Sequence, residues 1–505
     1  MIEVQLSDLH AASGAVWSAG SADPAEVTVT GVTTDSRGDV SGRLFVGIPG
    51  PRFDGARFAA DAAAAGAPAV LCQEGPGVRE ALGELAADRG VSVATCEDAV
   101  GALAAMGAAV RARSAAAVVG ITGSCGKTST KEILATLLGA SRDTRASRAS
   151  FNNHIGVPLT LLELERETEV LVVEIGTNHP GEIAPLAALA RPDVAIVTNV
   201  GRSHLEGLGS IEGVALEKGA LVEALEPGGT AVLNLDCPRM PDLRARAVEG
   251  VRIVTFSVAG DPAADVRADE LRVGAFGTRF VLGGEGLPAD VRGRVVTLPL
   301  LGQHAAANAL AAIAAIAALG ADVGRALEAT RALRPAPHRL EVSSAGGVTL
   351  IDDAYNANPE SVAAATELLA QVTPAGASGP APGRRWLALG EMGELGERSE
   401  ALHREVGALV ASLGIDRLLV VGAGAPLSAL ADAAREGGVE ACCTPTIEEA
   451  SGRLVDPDVG LRSGDVLLVK ASRAAALEAL ADRVRASLED RSPRTLDRRG
   501  AEVLS

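Results

Sequence analysis

A glycine-rich turn between a short apolar run and a helical pattern constrains this chain more than any other feature. The run Ala116–Ile121 predicts a buried parallel strand, and the residues from Lys127 onward show the apolar spacing of a helix. In the turn, Gly123 and Gly126 allow backbone N–H groups to converge on an anion. Lys127 adds a positive charge, and the Thr128 hydroxyl is a ligand suited to Mg²⁺. A nucleotide-binding loop is the favoured interpretation, although the glycine spacing departs from the strict phosphate-loop pattern, and an ordinary βα turn is the alternative.

The length and charge of the chain bound its class. At 505 residues the chain is too long to fold around a single hydrophobic core, and a typical size of ~150 residues per domain predicts about three domains. A formal net charge of 46 − 64 = −18 argues against non-specific binding to nucleic acid or to anionic membranes. The most apolar run, Ala305–Leu319, is interrupted by Asn308 and is too short to span a bilayer, so no membrane insertion is expected.

The chain start and the cysteines indicate the compartment. The N-terminal residues show no secretory pattern, and the six cysteines form neither a CxxC pair nor a metal-ligand spacing. A cytoplasmic protein with reduced thiols is therefore expected.

Lysine is scarce in this chain, where arginine supplies nearly every cation. It occurs only at positions 127, 131, 218 and 470, and the single tyrosine is Tyr355. Such a bias leaves lysine where arginine cannot serve, as when an amine must lose its proton or act as a compact charge. Lys131 is the expected exception, because its place at a helix start predicts an exposed side chain that survived by chance.

Residues 1–112 are predicted to form a first α/β domain. The predicted strands are Val27–Val32, Leu44–Ile48 and Ala69–Cys72, and the predicted helices are Phe58–Ala65 and Ala99–Arg113. Ser36 and Arg37 lie in a polar stretch between the first two strands, which can bind a phosphate or a base. On the residues alone, a solvated turn is the favoured interpretation of this stretch.

Residues 113–334 are predicted to form a central domain that contains the phosphate loop. Its further predicted strands are Val170–Ile175, Val194–Val200, Thr230–Leu235 and Arg252–Phe256. Polar side chains gather where three of these strands end, namely Glu174, Asn178 and His179, then Asn199 and His204, then Asn234 and Asp236. Ligands of open α/β sheets bind beyond the carboxyl ends of the strands, so these side chains are expected to face the phosphate loop. Glu174 is the carboxylate best placed to hold Mg²⁺ with Thr128, and His204 suits a second ion.

Residues 335–505 are predicted to form a third α/β domain, after a hinge at Arg334–Arg339 that contains two prolines. Its predicted strands are Val348–Asp352, Trp386–Leu389, Arg417–Val421 and Val466–Val469. Polar motifs again follow strands, at Asp352–Pro359, Gly390–Gly396 and Lys470–Arg473. The Pro/Gly-rich stretch Thr373–Gly383 is expected to be a mobile surface loop. The alternation of strands and helices favours parallel sheets in all three domains.

Six motifs together resemble one known family. They are Thr122–Thr128, Asn153–Pro158, Glu174–Asn178, Asn199–Leu205, Gly302–Asn308 and Asp353–Pro359. Their combination resembles the ATP-dependent Mur ligases of peptidoglycan synthesis, over essentially the whole chain. Three further stretches are most similar to the members that add D-alanyl-D-alanine to a UDP-N-acetylmuramoyl-tripeptide, namely Tyr355–Pro359, Leu389–Met392 and Thr34–Arg37. The resemblance implies a UDP-binding domain, a central ATP-binding domain with a mainly parallel sheet, and a Rossmann-like C-terminal domain.

The resemblance also implies roles for individual residues. The implied ATP-binding residues are Gly123, Ser124, Cys125, Gly126, Lys127, Thr128, Ser129, Asn308, Arg339, Asp353, Tyr355 and Asn356. The implied Mg²⁺ ligands are Thr128, Glu174, His204 and a carbamylated Lys218. The implied substrate-binding residues are Ser36, Arg37, Asn153, Asn358 and Lys470. The residues implied in catalysis are Lys127, Lys218, His204 and Arg339.

The implied reaction joins a carboxylate to an amine at the expense of ATP. The carboxylate of the UDP-muramyl-tripeptide attacks the γ-phosphorus, and the amine of D-Ala-D-Ala then displaces phosphate from the acyl phosphate. Phosphoryl transfer mainly requires alignment and charge neutralisation, which the implied residues offer. A monomer is expected. Two alternatives stay open: another amide ligase of the superfamily, acting on folate or another muramyl peptide, and a P-loop NTPase switch that ligates nothing. For Lys218, the alternative is a surface lysine paired with Glu212 or Glu217.

Overall fold

The computed structural model describes residues 4–17, 23–51, 53–274, 277–372, 374 and 382–491. In this part of the chain, the strands form three large sheets and one short antiparallel pair, Val4–Gln5 with Thr28–Val29. The stretch predicted as a mobile loop, Thr373–Gly383, lies outside the described residues except for residues 374, 382 and 383.

The first sheet has five strands and belongs to the N-terminal part of the chain. In spatial order they are Val16–Trp17, Ser92–Cys96, Ala69–Gln73, Arg43–Gly47 and Gly31–Thr33. All neighbours are parallel except the first pair. The accompanying helices are Leu6–Ser13, Ala59–Ala64, Val78–Arg89 and Ala99–Ala112, with a 3₁₀ turn at Gly55–Phe58. The predicted strand Val27–Val32 is two short strands in different sheets, because its two halves pair with different partners.

The central sheet has nine strands. In spatial order they are Val295–Leu298, Gly277–Gly283, Val266–Gly274, Arg252–Ser257, Thr230–Asn234, Val194–Val197, Ala117–Thr122, Val170–Glu174 and Thr144–Ala146. Its helices are Lys127–Leu138, Gly156–Leu161, Ile183–Ala190, Leu205–Leu208, Ile211–Glu223, Met240–Arg244, Gln303–Ala318 and Val323–Glu328, with a 3₁₀ turn at Ala329–Ala332.

The prediction of parallel sheets throughout is wrong at one edge of each large sheet, and most extensively at one side of the central sheet. The strand Gly277–Gly283 runs antiparallel to both of its neighbours, Val266–Gly274 and Val295–Leu298. These strands alternate buried and exposed residues along much of their length, since they cover the core with one face only. A search for short, fully apolar runs does not find such strands.

The third sheet has six strands. In spatial order they are Glu341–Ala345, Val348–Asp353, Val466–Lys470, Arg385–Leu389, Arg417–Val421 and Glu440–Thr444. Only the first strand is antiparallel to its neighbour. The helices are Pro359–Gln371, Ser399–Ser412, Ala425–Glu436, Ile447–Leu454 and Glu478–Arg491, with 3₁₀ turns at Gly396–Arg398 and Arg473–Ala475.

The sheet registers place the chemically active side chains at two facing edges. In the central sheet, Glu174 pairs with Ile121, directly before the phosphate loop. In the third sheet, Lys470 pairs with both Asp353 and Leu389, so the loops after three adjacent strands leave from one edge. Parallel neighbours therefore bring together residues that are far apart in sequence.

Small aliphatic side chains build the interior. The helix Gln303–Ala318 is almost wholly buried and consists mainly of alanine, which lets it pack closely against the phosphate-loop helix and the central sheet. As predicted, this helix carries Asn308. Among the described residues, no helix combines the length and the apolar character that crossing a membrane requires.

Candidate active site

A cavity of about 580 Å³ lies where the central sheet and the third sheet meet. Its walls are loops that follow the carboxyl ends of strands in both domains. The predicted site residues that line it are Ser124, Cys125, Gly126, Lys127, Thr128, Ser129, Glu174, His204, Asn308, Arg339, Asp353, Tyr355, Asn356, Asn358 and Lys470. The structure thus brings together residues that lie up to 346 positions apart, from Ser124 to Lys470.

The phosphate loop has the conformation that its glycines permit. Gly126 has a φ of +84°, and a Cβ there would lie 2.4 Å from the Asn308 side-chain oxygen, so only glycine fits. The Lys127 amine donates to the carbonyl oxygen of Gly123 (2.8 Å) and so closes the loop on itself. Burial lowers the pKa of Lys127, an effect that the Glu174 carboxylate opposes. Backbone N–H groups, a helix start and a compact cation thus meet in one place, as anion binding requires.

Thr128 and Glu174 form the oxygen-rich part of the site. The Thr128 hydroxyl donates to Glu174 Oε2 (2.9 Å), and the Asn152 amide donates to Glu174 Oε1 (2.8 Å). Glu174 is almost fully buried at the end of its strand. Asn152 was not predicted, although the scarcity of asparagine in this chain is a signal that could have found it.

His204 lies on the same side of the cavity in a strained conformation. Its φ is +55°, a value that a non-glycine residue rarely adopts. The Nδ1 atom contacts the carboxylate of Glu394, which belongs to the third domain and lies in the predicted polar motif Gly390–Gly396, although it was not singled out there. Contact with His204 holds the pKa of Glu394 below its usual range, in spite of the burial that would raise it.

The third domain reaches the phosphate loop through Arg339 and Tyr355. The Arg339 guanidinium donates to the Thr128 hydroxyl (3.0 Å) and lies 4.0 Å from the centre of the Tyr355 ring. The Tyr355 hydroxyl donates to Ser150 Oγ of the central domain (2.6 Å). Arg473 also lies over this ring, at 4.9 Å. Residues at the end of the predicted hinge and beyond it therefore complete the cavity.

Two residues assigned to substrate binding have structural partners in the third domain. The Lys470 amine is buried against Asp353 Oδ2 (2.5 Å) and the carbonyl oxygen of Asn356 (2.9 Å). Asn358 caps the helix Pro359–Gln371 through the backbone N–H of Ser361. Their roles toward a substrate stay predictions.

Lys218 is buried without a counter-ion. It is 1% exposed in the helix Ile211–Glu223, and within the described ranges no hydrogen bond or ion pair reaches its amine. The adjacent Glu217 is engaged elsewhere, because its carboxylate accepts from the backbone N–H groups of Gly181 and Ile183 (2.7 Å each). Burial, followed by the charge of Lys127, lowers the pKa of Lys218 to about 7. The surface-lysine interpretation is therefore wrong.

The expectation of an exposed Lys131 is also wrong. Its side chain is fully buried, and its amine donates to the carbonyl oxygens of Ser147 (2.6 Å) and Ala149 (2.5 Å). The prediction failed because the loop that covers this helix face comes from further along the chain.

The remaining predicted residues, and Lys218 with them, are not among those that line the cavity. Ser36 and Arg37 follow a strand of the first sheet, where the Arg37 guanidinium pairs with Asp35 (2.8 Å) and is almost fully exposed. Asn153 Oδ1 accepts from two backbone N–H groups at the start of the helix Gly156–Leu161. Gly123 lies at the start of the phosphate loop and packs against Thr198.

Cys125 gives a direct test of the cavity. Its Sγ atom lies 3.3 Å from the Asn358 side chain, and burial raises the pKa of the thiol. We expect a bulky maleimide to inactivate the protein slowly and ATP to slow the inactivation, because both occupy the same space. The readout is residual activity together with mass spectrometry of the labelled peptide. A Cys125→Ala variant is the control, and labelling at Cys125 that ATP does not affect would contradict the assignment.

Three protein-family models match the chain. The model described as the Mur ligase middle domain matches residues 121–316, the one described as Mur ligase, glutamate ligase domain, matches residues 338–473, and the one described as Mur ligase family, catalytic domain, matches residues 28–108. Together they span the phosphate loop and the third-domain loops that line the cavity.

Individual proteins are similar over nearly the full length. The UDP-N-acetylmuramoyl-tripeptide–D-alanyl-D-alanine ligase of Mycobacterium tuberculosis is 38% identical over 510 residues, covering 95% of this chain and 98% of that protein. MurF from Acinetobacter baumannii has a TM-score of 0.81 at 29% identity and covers 96% of this chain and 99% of its own. The MurF ligase from Thermotoga maritima, solved in complex with ADP, has a TM-score of 0.75 at 27% identity and covers 92% and 98%. These likenesses confirm the predicted three-domain α/β fold with mostly parallel sheets.

Proposed function

Because this chain belongs to the Mur ligase family, we propose that it is an ATP-dependent amide ligase that adds D-alanyl-D-alanine to a UDP-N-acetylmuramoyl-tripeptide in peptidoglycan precursor synthesis. The observation that carries this proposal is the hydrogen bond from Arg339 of the third domain to Thr128 of the phosphate loop. It makes one site out of two domains, and a ligase must hold nucleotide, acid and amine together. As the sequence predicts, we propose a monomer located in the cytoplasm.

ATP fits the cavity through the phosphate loop and the third-domain residues. Lys127, now bonded to the Gly123 carbonyl, can exchange that partner for phosphate oxygens without moving its backbone. Arg339 adds a second cation beside Thr128, and neither its hydrogen bond nor its ring contact neutralises its charge. Two cations directed at one point stabilise the charge that develops on a transferred phosphoryl group.

The residues at the phosphate loop also fit Mg²⁺. This ion is commonly held by one or two protein oxygens together with substrate phosphates. Thr128 and Glu174 supply a hydroxyl and a carboxylate 2.9 Å apart at the start of a helix. At His204, the Glu394 contact occupies Nδ1 and leaves Nε2 for a second ion. When bound, Mg²⁺ neutralises phosphate charge and aligns the γ-phosphoryl group.

Lys218 is proposed to complete the second ion site as a carbamate. A pKa of about 7 keeps much of the amine neutral near neutral pH, which is the form that reacts. The amine nitrogen forms a bond to the carbon of CO₂, and one N–H proton leaves to solvent. The product is a carboxylate-like group, which suits a hard cation. Burial without a counter-ion supports this role, because the new negative charge gains a cationic partner.

The reaction then proceeds in two steps. An oxygen of the tripeptide carboxylate forms a bond to the γ-phosphorus, and the bond to ADP breaks. The amine nitrogen of D-Ala-D-Ala next attacks the acyl carbon, the C–O bond to phosphate breaks, and the nitrogen loses a proton. Arg339, Lys127 and the cation ligands act in the first step, where charge builds on the phosphoryl group.

The test is a phosphate-release assay with a panel of amines. UDP-muramyl-tripeptides ending in lysine or in diaminopimelate are incubated with ATP and with D-Ala-D-Ala, D-alanine, L-Ala-L-Ala, glutamate or diaminopimelate. We expect phosphate release and a product of the ligated mass with D-Ala-D-Ala alone. Release with glutamate or a diamino acid would indicate another ligase of the superfamily. ATP hydrolysis at a rate that no amine changes would indicate a non-ligating NTPase.

A further inference from the structure

Lys131 is a buried cation next to the active site that the proposed reaction does not use. It lies one turn after Lys127 in the helix Lys127–Leu138, with none of its side chain exposed. Its amine donates to the carbonyl oxygens of Ser147 and Ala149, and it lies 2.9 Å from Glu132 Oε1. An ammonium group has three donors, so these partners satisfy it completely.

The two carbonyls belong to a loop of residues 147–152, which follows the edge strand Thr144–Ala146. Both ends of this 147–152 loop bind Glu174. Ser147 Oγ accepts from the Glu174 backbone N–H (3.1 Å), and the Asn152 amide donates to Glu174 Oε1 (2.8 Å). The middle of the loop presents Ser150, which accepts from Tyr355 of the third domain. The loop therefore orients a carboxylate on one side and receives the third domain on the other.

We propose that Lys131 is a positioning residue that holds the 147–152 loop so that Asn152 orients the Glu174 carboxylate toward Thr128 and the divalent cation. The inference rests on the proposed function, since it concerns the ion expected at Glu174. The loop begins after a short edge strand, and among the described residues the Lys131 amine is the cation that ties its backbone to the phosphate-loop helix. Arginine is larger and would place a planar group in a space where the Lys131 side chain is already fully buried.

The test measures how nucleotide affinity depends on Mg²⁺, which is a readout separate from turnover. Binding of a fluorescent, non-hydrolysable ATP analogue is titrated with and without EDTA in the wild type and in Lys131→Met. We expect metal-free affinity to stay within about 2-fold, while the Mg²⁺ concentration for half-maximal enhancement rises about 10-fold, as for lost outer-shell partners of metal ligands. Lys131→Gln retains amide donors and should raise the half-maximal Mg²⁺ concentration less. If Lys131→Met does not fold, the test uses Lys131→Gln alone.

Two controls separate positioning from general destabilisation. Leu137→Ala removes a fully buried side chain from the same helix and should lower the melting temperature without moving the Mg²⁺ midpoint. Asn152→Ala should reproduce the shift, and the double variant with Lys131→Met should be no worse than the stronger single one, because both act along one path. The inference would be overturned if Lys131→Met left the Mg²⁺ midpoint unshifted, as Leu137→Ala should. It would also be overturned if the shifts of Lys131→Met and Asn152→Ala multiplied in the double variant. If the wild type bound the ATP analogue equally well with and without Mg²⁺, the metal site of the proposed function would be overturned instead.

Discussion

Lys218→Arg is expected to lose nearly all ligase activity, although it preserves the positive charge. Lys218 is buried, lacks an ionic partner among the described residues, and has a pKa lowered to about 7. A guanidinium stays protonated at any working pH and cannot form a carbamate. The second cation site would then face a fixed positive charge instead of a carboxylate. We expect kcat to fall about 10²–10³-fold, the range for losing a group that stabilises transition-state charge.

The measurement is phosphate release with the preferred amine, at matched concentrations of folded protein. Lys218→Ala should be equally inactive but partly rescued by formate or acetate, whose carboxylate can occupy the space of the carbamate. Removing bicarbonate from the buffer should lower the rate of phosphate release by the wild type. Leu216→Arg is the matched control, because it adds a guanidinium at a 59% exposed position of the same helix. Full activity in Lys218→Arg would remove the carbamate from the proposal.

Lys127→Ala is expected to abolish ATP turnover while leaving the fold intact. The amine is the compact cation nearest the expected phosphates, and its removal leaves Arg339 as the remaining nearby cation of the two that converge there. The loop itself should persist, because Cys125 N donates to Asn199 Oδ1 and Thr198 Oγ1 donates to Cys125 O. Turnover should fall at least 10²-fold by the same electrostatic argument.

Two measurements distinguish lost chemistry from lost structure in Lys127→Ala. Phosphate release reports turnover, and a thermal melt reports the fold, with a midpoint expected within a few degrees of the wild type. Lys127→Arg keeps the charge but not the compact shape, and we expect it to recover only a small part of the activity. Turnover of Lys127→Ala within a few-fold of the wild type would contradict the phosphate-loop assignment.

The parallel core of the fold is predictable because each strand is a short apolar run with a turn at its end. The strand predicted at Ala116–Ile121 is observed at Ala117–Thr122, and the predicted strand Arg417–Val421 is confirmed at both ends. The strand Val266–Gly274 was missed because its exposed face carries charged residues. Such a strand is defined by pairing with its neighbours, which a local apolar pattern does not show.

The candidate site likewise contains residues that the sequence predicts and residues that it does not. Glu174 and His204 follow parallel strands, so topology alone predicts that they meet near the phosphate loop. Asn152 and Glu394 reach these residues from loops whose path depends on tertiary packing, so a scarce asparagine and a polar motif after a strand do not show which residues they contact. The burial of Lys131 likewise depends on a loop that begins 16 residues later.

The placement of the lysines gives the folded protein an unusual surface chemistry. Lys131, Lys218 and Lys470 are at most 2% exposed, which leaves the partly buried Lys127 as the accessible side-chain amine. Among the lysine side chains, Lys127 inside the nucleotide cavity is therefore the expected target of activated esters, aldehydes and other acylating or imine-forming reagents. Coupling through the Lys127 amine would block the nucleotide cavity, whereas the exposed thiol of Cys443 offers an attachment point on the edge strand Glu440–Thr444, away from the cavity.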